Sequence, residues 1–218
     1  MTKEEKVINY YVLCNKLKTT IRTGWKDWKV NKERLESVAE HIYGTQMLAI
    51  AMKSEYEYDI DIYKVIMMLA VHELEEIYIG DLTSFQITKQ EKMKIGTEAV
   101  KKVLSNLTNK LEIENLILEY EKRETKEAQF AYYCDKLECD LQCRLYDLEK
   151  TVDVTNQEGN ISFNDERVQS LLNKIKVGQK CGCYMDKVNI IMTIILKKYQ
   201  IMQWNTRDNY GSKNKRNI

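Results

Sequence analysis

The 218-residue chain has no proline, only eight glycines, three phenylalanines and two histidines, and a formal net charge of +1. With so little proline and glycine, few residues are available for the many tight turns of a sandwich or barrel, whereas the helix formers Glu, Lys, Leu, Ile and Met are abundant. An all-α fold is therefore expected. The 34 Lys and Arg are nearly cancelled by 33 Asp and Glu, so the totals provide no single-sign surface and nucleic acid is not an expected partner. Long apolar runs are missing too. The greasiest late stretch, Val188–Leu196, is about half the ~20 residues of a membrane span, and Met1–Lys6 carries no signal-peptide core. A cytoplasmic protein with no membrane partner is the expectation. The cysteines Cys14, Cys134, Cys139, Cys143, Cys181 and Cys183 then read most simply as reduced thiols. A four-thiolate zinc site from the last four lacks the usual Cys-x-x-Cys spacing. The hydrophobic content of 44% supports one well-buried core. We expect a single domain over residues 1–205 and a polar, flexible tail over 206–218.

Residues 3–19 read as an amphipathic helix whose stripe Val7, Ile8, Tyr11, Val12 and Leu17 packs on the core. Ile21–Trp28 breaks that pattern and places Arg22, Gly24, Trp25 and Trp28 in an irregular connection. It is either a loop plugged by aromatics or a ligand wall, in which the Arg22 fork grips a phosphate and Trp25 covers a ring. Ser37 and Glu40 have capping-box spacing and open a helix that carries His41 and runs to about Ser54. The next helix is expected from near Asp61 to about Ile77, stopping at Gly80. On it His72 and Glu76, four apart, share a face and Glu73 points away. Thr88 and Glu91 form a second capping box, opening a helix to roughly Leu104, and another helix covers 109–122. Thr125 to about Glu149 reads as one long helix with Phe130, Tyr133, Cys134, Leu137, Leu141 and Leu145 inward and Asp135 beside that stripe. A loop over Thr151–Asn164 and helices near 165–176 and 185–203 complete the expected order.

The chemistry concentrates where the apolar run Ile66–Val71 meets His72, Glu73, Glu75, Glu76 and Asp81. Burying such groups costs several kcal/mol unless a partner or a metal compensates them. The candidate ligands are His41, the neighbours His72 and Glu73, and Asp135, from three separate helices. Two histidines by themselves are more often satisfied core or capping residues than metal ligands.

The order of His, an adjacent His-acid pair and a distant Asp on an all-helical chain resembles the HD-domain metal-dependent phosphohydrolases. More narrowly, Arg22-Thr23-Gly24-Trp25, Glu36 to His41, Val71-His72-Glu73 with Glu76 and Gly80-Asp81-Leu82, and Glu127-Ala128 with Asp135 to Glu138 look like the 5′-deoxynucleotidase subgroup. The resemblance implies a single-domain HD-type helical bundle. It implies one divalent ion (Mn, Co, Fe, Ni, Zn or Mg) held by His41, His72, Glu73 and Asp135. It also implies that Glu76 orients or deprotonates the attacking water, that Arg22 binds the phosphate, and that Trp25 and the catalytic Asp81 shape the sugar pocket. The implied substrate is a (deoxy)ribonucleoside 5′-monophosphate, and the implied assembly a homodimer. The chain departs from the family at Glu73, where the naming pair has Asp. The extra methylene moves the carboxylate by roughly 1.5 Å, beyond the few tenths of an ångström that coordination tolerates, so backbone or rotamer must adjust for it to bind. The alternative reading is a catalytically degenerate HD fold serving as a nucleotide-binding or interaction protein.

Overall fold

The computed structural model describes residues 1–154 apart from 57 and 84. Met1–Asp153 form one compact unit. It contains α1 (Lys3–Cys14), a 3-10 turn (Asn15–Lys18), α2 (Thr23–Asp27), α3 (Val38–Glu55), α4 (Ile62–Val71), α5 (Glu76–Ile79), α6 (Lys89–Leu104), α7 (Lys110–Lys122) and α8 (Lys126–Leu148). Among the described residues there is no strand, only an antiparallel bridge between Ile21 and Ser37. The all-α expectation holds. No helix among them is long and apolar enough to cross a membrane. The loop from residue 155 onward, the two last helices, the remainder of the domain to residue 205 and the tail over 206–218 lie outside the described residues.

Local chemistry sets the helix starts. Ser37 Oγ accepts from the Glu40 N–H while Glu40 Oε2 accepts from the Ser37 N–H at 2.9 Å, and Thr88 and Glu91 repeat the exchange at α6. A third box, Thr2 with Glu5, opens α1. Such caps contribute about 1 kcal/mol each. Thr125 caps α8 through the Ala128 N–H.

The core forms where α3, α4 and α8 pack on one another. α3 buries Val38, His41, Thr45, Ala49 and Met52; α4 buries Val65, Met68, Leu69 and Val71; α8 buries Phe130, Ala131, Cys134 and Leu137. His41 and Asp135 thus lie on buried, mainly apolar faces. A second cluster, Leu17, Val38, Val71, Leu74, Ile77, Val100, Val103 and Leu104, ties the 3-10 turn, α5 and α6 to the ends of α3 and α4. It seats the residues after His72 against a rigid support.

Four expectations need correction. α1 turns its Val7, Ile8, Tyr11 and Val12 to solvent, each more than half exposed, and packs instead through Tyr10, Leu13 and Cys14, with Leu17 beyond it. Two apolar stripes overlap in this sequence, and the tertiary contacts select the second. Ile21–Trp28 is not wholly irregular, because α2 lies within it. The third correction is the helix through His72, which does not continue to Ile77. α4 ends at Val71 with His72 as its cap, and the following N–H groups of Leu74, Glu76, Ile77 and Tyr78 bond three residues back instead of four. Three glutamates crowd this C-terminal end, where the helix dipole disfavours acids. Finally, Tyr133, Leu141 and Leu145 on α8 are only half-buried, and the buried face includes Asp135, Glu138 and Tyr146 in their place.

Candidate metal centre

His41, His72, Glu73 and Asp135 converge, each offering a ligand atom within 4.8 Å of the others. The two imidazole rings lie 5.6 Å apart. His41 Nε2 is 3.2 Å from Asp135 Oδ1, and His72 Nε2 is 3.6 Å from Glu73 Oε1. Three of these buried atoms, His41 Nε2, His72 Nε2 and Asp135 Oδ1, have no hydrogen-bond partner. An unpartnered buried polar atom costs about 1–3 kcal/mol, and three of them facing one point are what a cation would satisfy. Two imidazoles and two carboxylates suit a divalent ion such as Mn, Fe, Co, Ni or Zn without choosing between them. Glu73 reaches this group from the turn that follows α4, so its longer side chain is combined with a backbone that has left the helix.

The ligand atoms are aimed by their neighbours. His72 Nδ1–H donates to the Leu69 carbonyl at 2.8 Å, which turns Nε2 inward. His41 Nδ1 is held by Glu138 Oε2, the carboxylate-to-histidine arrangement that fixes tautomer and ring orientation in metal sites. Glu36 stands behind Glu138. Burial first, then the Glu138 charge, push its carboxyl up to about 7. Trp25 is buried, its indole N–H donating to Glu36 Oε2 at 2.6 Å, with the ring edge-on to Trp28 and Tyr146. Trp25 therefore connects to His41 through two carboxylates. Asp135 Oδ2 accepts from the Tyr120 hydroxyl at 2.8 Å and from Lys136 Nζ at 2.8 Å, leaving Oδ1 for the centre. Burial opposes the Asp135 charge, but Lys136, His41 and His72 hold its pKa well below the ordinary value. Burial lowers the pKa of His72, which favours the neutral form a metal needs.

Glu76 and Asp81 flank the quartet. Glu76 is buried; its Oε1 faces Lys92 Nζ at 3.3 Å and its Oε2 has no partner. Burial, Glu73 and Asp81 push its carboxyl up to about 10, the signature of a site with an excess of negative charge. Gly80, at φ 73°, turns the chain after α5, a conformation that strains other residues. Asp81 then accepts from the Thr23 N–H at 2.6 Å, and the Thr23 hydroxyl donates to the Asp81 carbonyl. Arg22 arrives through the bridge beside it, its N–H bonded to the Glu36 carbonyl. Its guanidinium lies 3.6 Å from Glu73, 3.9 Å from Asp81 and 3.2 Å from Cys139 Sγ. Burial works against that charge, but Cys139, Glu73, Asp81 and Glu76 raise its pKa further. Arg22, Glu73 and Asp81 retain some exposure, at 16, 13 and 10% of their side chains, while the imidazoles retain essentially none. The site opens on the arginine side.

Sequence reasoning missed Gly44, Tyr120 and Lys92, quoted Glu36 and Glu138 only as motif members without a role, and weighed Cys139 only as a thiolate ligand. Glu138 had a usable signal, since it follows Asp135 by three residues and so shares its helix face. Tyr120 and Lys92 had none, being set by helix packing alone.

Residues 14–175 match the HD domain family. The chain is 36% identical over 151 residues to a Dictyostelium discoideum protein named a 5′-deoxynucleotidase, covering 66% of this chain and 77% of that one. It is 30% identical over 143 residues to a Schizosaccharomyces pombe protein of the same name, covering 62% and 70%. A conserved hypothetical protein from Pyrococcus furiosus, of known structure, is 27% identical with a TM-score of 0.56 over 77% of this chain and 96% of that one. A match of this extent agrees with the order in which the His, His-acid and Asp positions recur here, and the chain belongs to the HD-domain family.

Proposed function

We propose that the protein is a metal-dependent phosphohydrolase that removes the 5′-phosphate from (deoxy)ribonucleoside monophosphates. One observation carries the reading: three unpartnered buried ligand atoms converge beside a partly exposed arginine, Arg22, and a buried acid, Glu76, that has an unpartnered oxygen of its own. The relatives named 5′-deoxynucleotidases support the substrate class. In this reading His41, His72, Glu73 and Asp135 hold one divalent ion. Such an ion supplies positive charge against the phosphoryl oxygens and lowers the pKa of water beside it. Arg22 binds the phosphate from the open side, using its planar fork. Hydrolysis forms a bond from water oxygen to phosphorus and breaks the bond from phosphorus to the 5′ oxygen, which takes up a proton and leaves as the nucleoside hydroxyl. Burial, then the negative charge of Glu73 and Asp81, raise the Glu76 carboxyl; with that charge offset by a divalent ion in the centre, Glu76 Oε2, which has no other hydrogen bond, takes the proton that water loses. Asp81, fixed by Thr23, shapes the sugar side of the pocket, and Trp25 supports that wall. A homodimer belongs to the reading by family membership, and sedimentation of the purified chain tests it. Absence of a nucleic-acid partner is supported by the near balance of charge.

The decisive experiment measures phosphate release from a panel of 5′- and 3′-nucleoside monophosphates after loading with each candidate metal. We expect turnover of the 5′-esters, its loss with a chelator and its return with metal. A protein that binds metal stoichiometrically yet releases no phosphate from any of them is the degenerate member of the family.

A further inference from the structure

We propose that Lys92 is a positioning residue of this site, locking the Glu76 carboxylate and the chain that leads through Asp81 into one arrangement. Lys92 lies in the first turn of α6, where the helix dipole disfavours a cation. Its first-turn neighbours Lys89, Gln90 and Glu91 are exposed. Lys92 instead turns inward, with 30% of its side chain exposed, and places Nζ 3.3 Å from Glu76 Oε1 and 3.3 Å from the Leu82 carbonyl. One ammonium thus bridges the start of α5 and the segment beyond Gly80, closing the turn that carries Asp81. Charge-assisted bonds of this kind are about twice as strong as neutral ones.

The bond also orients Glu76. With Oε1 engaged by Lys92, Oε2 is the oxygen left without a partner. Without Lys92 the carboxyl rotor has no donor to choose between its oxygens, and the Leu82 carbonyl loses its donor at the same time. Asp81 keeps its two bonds to Thr23, and Arg22 keeps its place beside Glu73. Loss of Lys92 therefore disturbs the acid that handles the proton more than the groups that bind the phosphate. The kinetic consequence rests on the hydrolase reading above; the structural consequence does not.

The test compares wild type with Lys92→Met, Lys92→Gln and Lys92→Arg in the metal-loaded full-length chain. Hydrogen exchange of the backbone amides over 77–83 is expected to accelerate by about tenfold or more in the Met and Gln variants and to stay near wild type in Arg. Per mole of bound metal, kcat is expected to fall about 10–100-fold in Met and Gln, with KM within about threefold, and Arg to restore most of it. Two neutral variants guard against one that fails to fold. Unchanged exchange in both overturns the tether. A raised KM with kcat preserved overturns positioning, because Lys92 would then be a substrate contact. If wild type turns over no nucleotide, the hydrolase reading fails, and the exchange data still decide whether Lys92 holds this turn.

Discussion

The Glu138 carboxylate occupies the space that Gly44 leaves by having no side chain: a Cβ at position 44 would stand 2.6 Å from Glu138 Oε1 and 3.0 Å from its Cγ. Glu138 in turn holds His41 Nδ1. In an ordinary helix interior Gly→Ala is favourable by about 1 kcal/mol. Here Gly44→Ala is expected to push Glu138 off His41 and lower metal affinity by about 10–100-fold, the usual cost of losing a carboxylate behind a ligating histidine. Calorimetric metal titration of Gly44→Ala and Glu138→Ala checks this. Similar losses in both support the shared cause, and a Gly44→Ala variant that binds metal like wild type removes it.

His72→Ala is expected to abolish stoichiometric metal binding, since it deletes a donor whose Nε2 faces the centre with nothing else to bond. Glu73→Asp is expected to retain the metal and to raise turnover above wild type by restoring the ligand length usual in the family. Elemental analysis and steady-state kinetics decide both. If Glu73→Asp alters neither metal affinity nor turnover, Glu73 is not a ligand.

For Glu76→Gln we expect metal content to stay near wild type while kcat falls by about 10²-fold or more, the range for losing a general base. The amide keeps a carbonyl oxygen for Lys92 but cannot take a proton. Activity within a few-fold of wild type at saturating metal would assign the proton to another group.

Glu36 makes a prediction about stability and pH. Its folded carboxyl, raised from the ordinary value of 4.5 to about 7, holds its proton while the unfolded chain has already released one. The fold is therefore favoured fully below about pH 4.5, and that contribution drains away as pH rises to about 7. At about 1.36 kcal/mol per tenfold change in proton affinity the ceiling is roughly 3 kcal/mol. Glu36→Gln keeps an acceptor for the Trp25 indole and cannot ionise. In urea unfolding of the metal-free protein, the variant should gain on wild type by about 1–3 kcal/mol between pH 5 and pH 8. An equal difference at both pH values would contradict the assignment.

Much of this molecule could be read from local sequence because the deciding bonds are local. The exchanges of Ser37 with Glu40 and Thr88 with Glu91 span three residues each, so α3 and α6 begin where the spacing says they should. α8 begins at its Thr125 cap for the same reason, and the ends of α7, which has no side-chain cap, also fall within a residue or two of expectation. The ligand types were also legible, since the chain has only two histidines, one in the first turn of a capped helix and the other closing the apolar run Ile66–Val71 beside an acid. Tertiary structure decided the rest. Which of two apolar stripes α1 buries depends on the 3-10 turn and α6 it meets. The end of α4 at His72 depends on seating Leu74 and Ile77 in the second core cluster. The pairs Gly44 with Glu138, Tyr120 with Asp135, and Lys92 with Glu76 join residues from different helices. Periodicity states which face a residue is on, but not which residue of another helix will face it. That pairing is fixed only when α3, α4 and α8 close on a common core, and it is what turns four separated polar residues into one centre.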